Sequence, residues 1–483
     1  MIVGARVAGC AAAIPLVRAG RKVVLLDRSR FPSNVLSTHG IWPSAVAELR
    51  KLGALERVLA YEPPKIRSAV FHHLGVPLKG GFNPVENIDY MLVIGRPQLD
   101  LALVETACAE GADVRERTAV TGLVWDGDRA AGVRYRSLDG DGAEGEVRAP
   151  LVIGADGRRS MVAEHVGAAR PYRGSRNGRG FAWWYMDDPK VGTDWRETGA
   201  LLRVNETIVL IGGMPADRML VLAVCPAADI PRYRRDPEGM FERLMRENRR
   251  MADRVRGAGR ATHAFTADEL SAYFRASSGH GWALTGDAGH FKDPGIAQGI
   301  RDALFFSRLL GEVAAPVLGS PAKLDWALHE WEAERDRACL STYHWANRET
   351  RVDPVQPILL EALRTFSAGE GEFGFGDVLS RLRDYEEVAN RRRGMLWVSR
   401  ALLRPGADRR LIARQALQEM RIDSAVRLER WLGRFRTTRP NPSELPGPSW
   451  PAAHARTARE APSQAAGSGN GSARAPVLAR SGS

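Results

Sequence analysis

The sequence predicts an α/β fold: a parallel sheet flanked by helices, an inserted antiparallel sheet, and a helical C-terminal region. Three observations predict it. The chain opens on a strand–turn–helix–strand unit, and two later apolar strands, Leu151-Val152-Ile153 and Trp282-Ala283-Leu284, each run into a turn of glycine and aspartate. Between residues 181 and 226 the apolar runs are short and separated by turns, which suits antiparallel strands. Beyond residue 316 leucine, methionine and tryptophan recur at helical spacing.

The opening unit is the most regular. Met1-Ile2-Val3 reads as a strand, Gly4-Ala5-Arg6-Val7-Ala8-Gly9 as a turn, Ala8 to Ala19 as a helix that Gly20 ends, and Lys22 to Asp27 as a second strand. Asp27 then lies where an acidic residue, roughly 20 positions after the turn, reads a ribose hydroxyl. Gly4 permits the tight turn and Gly9 permits close helix–strand packing. The middle glycine of such a turn gives a pyrophosphate access to the backbone. Here Arg6 replaces it, which can set a cation near a phosphate. Pro15 lies inside the helix and is expected to kink it.

The second turn is Gly154-Ala155-Asp156-Gly157, with Ser160 at the next helix start. The third is Gly286-Asp287-Ala288-Gly289-His290-Phe291-Lys292-Asp293-Pro294, which leads through Gly299 and Ile300 into an apolar helix from Ile300 to Leu310. A carboxylate at a strand end can accept hydrogen bonds from a polyol, and glycines at a helix start let backbone N–H groups approach an electron-rich ligand. Gly369 to Gly374 also spells G-x-G-x-x-G, but no strand precedes it and two glutamates would face any phosphate, so it reads as a loop.

These turns, in this order, resemble the FAD-dependent monooxygenases related to para-hydroxybenzoate hydroxylase, over about residues 1–310. Some branches of that superfamily read Gly-Ala-Arg-x-Ala-Gly, as Gly4 to Gly9 do here. Arg96, in Gly95-Arg96-Pro97-Gln98-Leu99-Asp100, sits where the family places an FAD-binding arginine ahead of a helix. The resemblance implies a Rossmann-like FAD-binding domain, FAD as cofactor and NAD(P)H as reductant. It implies transfer of one oxygen atom from O2 to a small-molecule substrate, by hydroxylation or epoxidation. The implied cofactor-binding set is Gly4, Arg6, Gly9, Asp27, Arg28, Arg96, Asp156, Gly157, Gly286, Asp287, Gly299 and Ile300. Within it Asp27 would hold the adenosine ribose, Arg96 the phosphate region and Asp287 the ribityl chain. Asp156 and Gly157 would serve the pyrophosphate side and reduction by NAD(P)H. Gly299 and Ile300 would offer a helix N-terminus to negative charge on the flavin. Pro294, beside the reactive ring edge, and His39, in Ser37-Thr38-His39-Gly40, are the catalytic candidates.

Other readings stay open. FAD-dependent reductases or dehydrogenases acting on isoprenoid chains share the three turns. Flavin halogenases share the fold but read W-x-W-x-I-P, whereas Trp183 and Trp184 are adjacent and no such motif follows, so that reading is discounted. A flavin-fold binding protein without turnover is kept open by Arg6 and Pro15.

The inferred FAD-binding domain is discontinuous, spanning 1–65, 96–178 and 280–315. Residues 66–95 and 179–279 form the substrate domain, with a sheet over the substrate and a helix from Pro237 to Arg256. Residues 316–437 are helical, with Leu324, Leu328 and Trp331, and later Leu411, Leu417, Met420 and Leu428, read as packing stripes. Residues 438–483 shift to Pro, Ser, Ala and Gly and are expected to be disordered. The aromatic run Trp183-Trp184-Tyr185 suggests an aromatic, polyketide-like or polyene substrate.

Composition excludes several classes. Four scattered cysteines offer neither a zinc pattern nor a disulfide framework, so no metal is expected. His72-His73 on a strand would point to opposite faces and form no chelating pair. The formal charge of +12 comes with arginine clusters, but no aromatic interleaving marks a nucleic-acid partner. A weak affinity for anionic membranes is compatible with these clusters. There is no basic, apolar leader and no long apolar run, so the expectation is a cytoplasmic protein without an integral membrane span.

Overall fold

The computed structural model describes residues 1–433 except 36–38, 74, 141, 176–177, 260–261, 269, 353–355 and 370–373. The proposed disordered tail, Ser37-Thr38 and the core of the Gly369–Gly374 loop therefore lie outside the described residues. The opening unit forms as strand Ile2–Val3, helix Val7–Arg18 and strand Val24–Leu26. Pro15 does not end that helix, because it sits in the last turn. Its ring seats against helix Gly299–Ala314 at Gly311, where a Cβ would fall 2.5 Å from Pro15 Cγ.

The central sheet has six strands in the order Ser278–Gly279, Trp282–Leu284, Val152–Gly154, Ile2–Val3, Val24–Leu26, Asp113–Arg115. All neighbours are parallel except the first pair. Register is what builds the site. Val3 pairs with Gly154, and Gly154 with Leu284, so the three turns that follow leave the same edge side by side. The period of two sorts the strand residues. Ile2, Leu25, Ile153 and Ala283 pack on helices Val7–Arg18, Arg96–Ala109 and Gly299–Ala314. Val3, Leu26, Val152 and Leu284 pack on Leu123, Ala130 and Val133 of a three-stranded antiparallel sheet, Thr118–Asp126, Arg129–Ser137 and Glu144–Arg148.

The second large sheet has seven strands: Phe265–Ala267, Arg179–Asp187, Arg218–Pro226, Thr207–Met214, Thr198–Val204, Ser68–His73 and Val76–Gly81. It is mixed rather than purely antiparallel, since Thr198–Val204 runs parallel to Ser68–His73. These two strands come from segments far apart in sequence, and no hairpin dictates their direction. Tyr90–Val93 is not part of this sheet; Leu92–Val93 pairs with Gly40–Ile41.

Alternation divides the aromatic run. Trp184 faces helices Ile230–Arg235 and Pro237–Glu247, with Tyr233 and Phe241 at 6.1 and 5.0 Å. Trp183 and Tyr185 face the other way. The helix expected over Pro237–Arg256 is broken at Asn248, whose side chain caps a new helix, Arg249–Val255. Beyond residue 316 the described elements are helices, the longest being Pro321–Glu349 and Arg409–Gly433. Leu324, Leu328 and Trp331 pack as expected, but Leu417, Met420 and Leu428 are exposed. Their helix turns a different face, that of Ile412 and Val426, to the body.

Candidate functional site

A cleft of about 630 Å³ opens where the three turns converge. Gly4, Arg6, Asp27, Arg28, Arg96, Asp156, Gly157, Gly286, Asp287, Pro294, Gly299 and Ile300 all line it. Gly9 and His39 do not. Gly9 acts from behind, where a Cβ would lie 1.8 Å from the Gly4 carbonyl oxygen, so only glycine lets the helix start sit on the first turn. His39 is buried with φ 60° and bonds the Tyr185 hydroxyl through Nε2 at 2.7 Å.

Backbone bonds fix the first turn. The Gly4 N–H donates to the Leu26 carbonyl at 2.8 Å, and Ala5 N–H to Asp27 Oδ2 at 2.8 Å. Ser29 N–H donates to Asp27 Oδ1 at 2.8 Å, so this carboxylate staples the two strand ends together. Gly4 has φ 97°, and a Cβ there would strike the Ala155 carbonyl oxygen at 2.5 Å. Gly286, with φ 57°, faces Ala8 in the same way, at 2.7 Å. These close approaches bring the three turns to one wall.

Arg6 and Arg96 share one buried carboxylate. Arg6 Nη1 donates to Asp100 Oδ2 at 2.6 Å, and Arg96 Nε to Asp100 Oδ1 at 2.9 Å. Ser33 Oγ holds Arg6 Nη2 at 2.8 Å. With two cations on one anion, this corner keeps a net positive charge. Arg28, Arg158, Arg159 and Lys292 also line the cleft, against the carboxylates of Asp27, Asp156 and Asp287. Burial raises the Asp287 carboxyl, while Arg158 and Arg96 pull it back down. Burial likewise raises Asp156, against its bonds to Ser160 and Val162 N–H. Asp156 Oδ1 is buried and has no partner among the described residues. Arg275 ties the second and third turns by donating to the carbonyls of Arg158 and Ala288, both at 3.0 Å.

The family described as FAD binding domain matches residues 1–343. The chain belongs to that family. It is an FAD-dependent oxidoreductase, and FAD is its cofactor. Rifampicin monooxygenase of Streptomyces venezuelae is 24% identical over 404 residues, which cover 80% of this chain and 76% of that one. Digeranylgeranylglycerophospholipid reductase of Methanosarcina mazei is 45% identical over 75 residues, 16% of this chain and 18% of that one. The myxobacterial chondrochloren halogenase CndH shares the fold, with a TM-score of 0.63, 19% identity, and coverage of 82% of this chain and 95% of that one.

The lining fits FAD. The glycine-built wall leaves backbone within reach of a ligand, and the arginine pair suits a pyrophosphate. A Cβ on Gly299 would meet nothing within 4 Å, so the start of helix Gly299–Ala314 is open to the cleft.

Several residues that shape this FAD site were not singled out in the sequence. Asp100 was legible, because Arg96 and Asp100 stand four apart on a helix. Asp302 was not. It takes Lys292 Nζ, and Arg381 Nη2 at 3.1 Å, from a helix end far along the chain. His290, Asp302 and Cys339 lie within 4.8 Å of one another, but Lys292, Arg301 and Arg381 crowd the carboxylate, so this group is an ion-pair hub. Burial pushes the Lys292 amine down to about 7, and Cys339 beside its Nζ opposes that shift.

Beyond Pro294 lies a second, apolar pocket. It is lined by Ile66, Met91, Val93, Leu201, Ile208, Leu210, Ile211, Leu220, Leu222 and Val224, with Trp42, Phe71 and Phe375. Aliphatic groups dominate it, and Trp183 and Trp184 are absent from the lining. Arg179 and Glu349 are its only charged residues among those described. The Arg179 guanidinium is spent on the carbonyls of Glu349, Glu206 and Arg351, at 2.7, 2.5 and 2.7 Å.

Proposed function

We propose that this protein is a monooxygenase that uses NAD(P)H and O2 to hydroxylate or epoxidise a small apolar substrate. One observation carries the reading: Pro294 and Leu222 line both the cofactor cleft and the apolar pocket. A substrate in the pocket and a cofactor in the cleft would meet across Pro294.

FAD, when bound, accepts hydride from NAD(P)H and activates oxygen. The chain's own residues supply the rest. Asp27 would hold the adenosine ribose, Arg6 and Arg96 the phosphates, and Asp287 the ribityl hydroxyls. The N–H groups that begin helix Gly299–Ala314 favour negative charge at the cleft. The aliphatic walls orient an apolar substrate and exclude water from the reacting atoms. His39 acts through Tyr185 rather than on the substrate, as a support for the sheet over the cleft.

A reductase is the second reading. The aliphatic pocket would suit a polyprenyl chain, and the relative from Methanosarcina mazei is named as a reductase.

The test is purification followed by NAD(P)H addition. The protein should be yellow, release FAD on heating, and consume oxygen together with NAD(P)H. Asp156→Ala should slow flavin reduction at least about tenfold while flavin content stays near that of the parent. Equal losses of reduction and flavin content would remove Asp156 from the reduction step.

A further inference from the structure

We propose that the exposed face of the C-terminal helix pair docks this protein on anionic lipid membranes. On helix Arg409–Gly433, Leu417, Met420, Leu428 and Trp431 are all about half exposed, at 49%, 59%, 56% and 55%. At 100° per residue they fall within an arc of about 80°, a single stripe. The preceding helix, Arg391–Leu403, packs against this one and itself exposes Met395, Leu396 and Leu403, the last 82% exposed.

The same surface is cationic. Residues 391–433 hold eleven arginines and four carboxylates, more than half of the chain's net charge of +12. Two of those carboxylates face inward, Glu419 onto Arg351 and Asp423 onto Arg348. They pin the helix to the body and leave the exposed side basic. Arg410, Arg414, Arg421 and Arg427 are exposed beside the apolar stripe.

This pairing selects the partner. A second copy would bring the same positive charge to the interface. A nucleic acid would use the arginines and leave the leucines and methionines in water. An anionic bilayer satisfies both, taking apolar side chains into the acyl boundary and arginines onto headgroups. No described helix is long and apolar enough to cross a membrane, so the contact is peripheral.

The experiment is co-sedimentation of the full-length, FAD-loaded protein with vesicles. One set is phosphatidylcholine alone, the other phosphatidylcholine mixed with phosphatidylglycerol. At least about tenfold stronger binding to the anionic set is expected, with release as salt is raised. The triple variant Leu417→Ser, Met420→Ser, Leu428→Ser should lose about tenfold in binding with unchanged flavin content. Arg410→Gln, Arg421→Gln and Arg427→Gln together should erase the preference for anionic vesicles. If the apolar variant fails to fold, the salt and lipid dependence of the parent protein decides. Absence of binding, equal binding to both vesicle sets, or a concentration-dependent dimer abolished by the triple variant would overturn the proposal.

Discussion

Gly9 and Asp293 are the residues whose surroundings set the firmest demands. Any side chain at Gly9 would push helix Val7–Arg18 off the turn at Gly4, because the Gly4 carbonyl oxygen stands 1.8 Å from where a Cβ would be. Gly9→Val is therefore expected to lower flavin occupancy several-fold and to cost about 1–3 kcal/mol of stability, as overpacking does. Flavin absorbance per protein and a thermal melt check this, and full occupancy with an unchanged melt would count against the packing. Asp293 precedes Pro294 and is fully buried. Its Oδ1 accepts the Gly295 N–H at 2.8 Å, while Oδ2 has no partner among the described residues. Burial raises its carboxyl from 3.8 to about 7. As pH rises through that window the unfolded chain loses its proton first, so stability falls and stays lower above it. The cost reaches up to about 4 kcal/mol. Asp293→Asn keeps the bond to Gly295 and removes the titration. Its stabilising effect should be clearly larger at about pH 8 than at about pH 5; an equal gain at both would show that Asp293 ionises as an ordinary carboxylate.

The decisive element is helix Gly299–Ala314, whose N-terminus faces the cleft. Its start is held from outside the family match. Gln298 donates to the Leu379 carbonyl at 2.8 Å, and Arg381 bonds Gln298 Oε1 at 3.0 Å and Asp302. Arg381→Ala should cost about 1–3 kcal/mol, since Asp302 keeps Lys292 and Arg301 while buried Gln298 Oε1 loses its donor. FAD dissociation measured by fluorescence should rise about tenfold, whereas an unchanged affinity would confine Arg381 to stability. This scale also shows what sequence can carry. The second and third turns were legible because each is local, an apolar run, a glycine and an aspartate within ten residues, and the first because its glycines and Asp27 keep a set spacing. The sheet partners were less so. Val76–Gly81 carries proline and glycine, as an edge strand can, and its sequence has no strand signal of its own. Arg129–Ser137 and Glu144–Arg148 mix charged with small residues and do not stand out from solvent-facing chain. The Arg381 link joins residues about eighty positions apart and leaves no periodic trace.

At the scale of the whole molecule, the FAD cleft and the apolar pocket lie between the parallel sheet and the seven-stranded sheet, and the C-terminal helices close the pocket through Phe375 and Leu379. Most of the cleft was readable because its residues sit at strand ends. His39 was misplaced, since a left-handed backbone turns it toward Tyr185. Period two splits the aromatic run, leaving Trp183 on the cofactor cleft and Trp184 behind the sheet, and the pocket beyond takes its aliphatic lining from the apolar runs at 208–211 and 219–224. The reaction is the claim on which everything else converges. The most direct measurement supplies the FAD-loaded enzyme with NAD(P)H, isotopically labelled O2 and a panel of apolar polycyclic and polyene compounds, then weighs the products. One labelled oxygen atom per product molecule, formed only in the presence of O2, is the predicted result. A saturated, unlabelled product that also forms without oxygen would contradict it and make the enzyme a reductase.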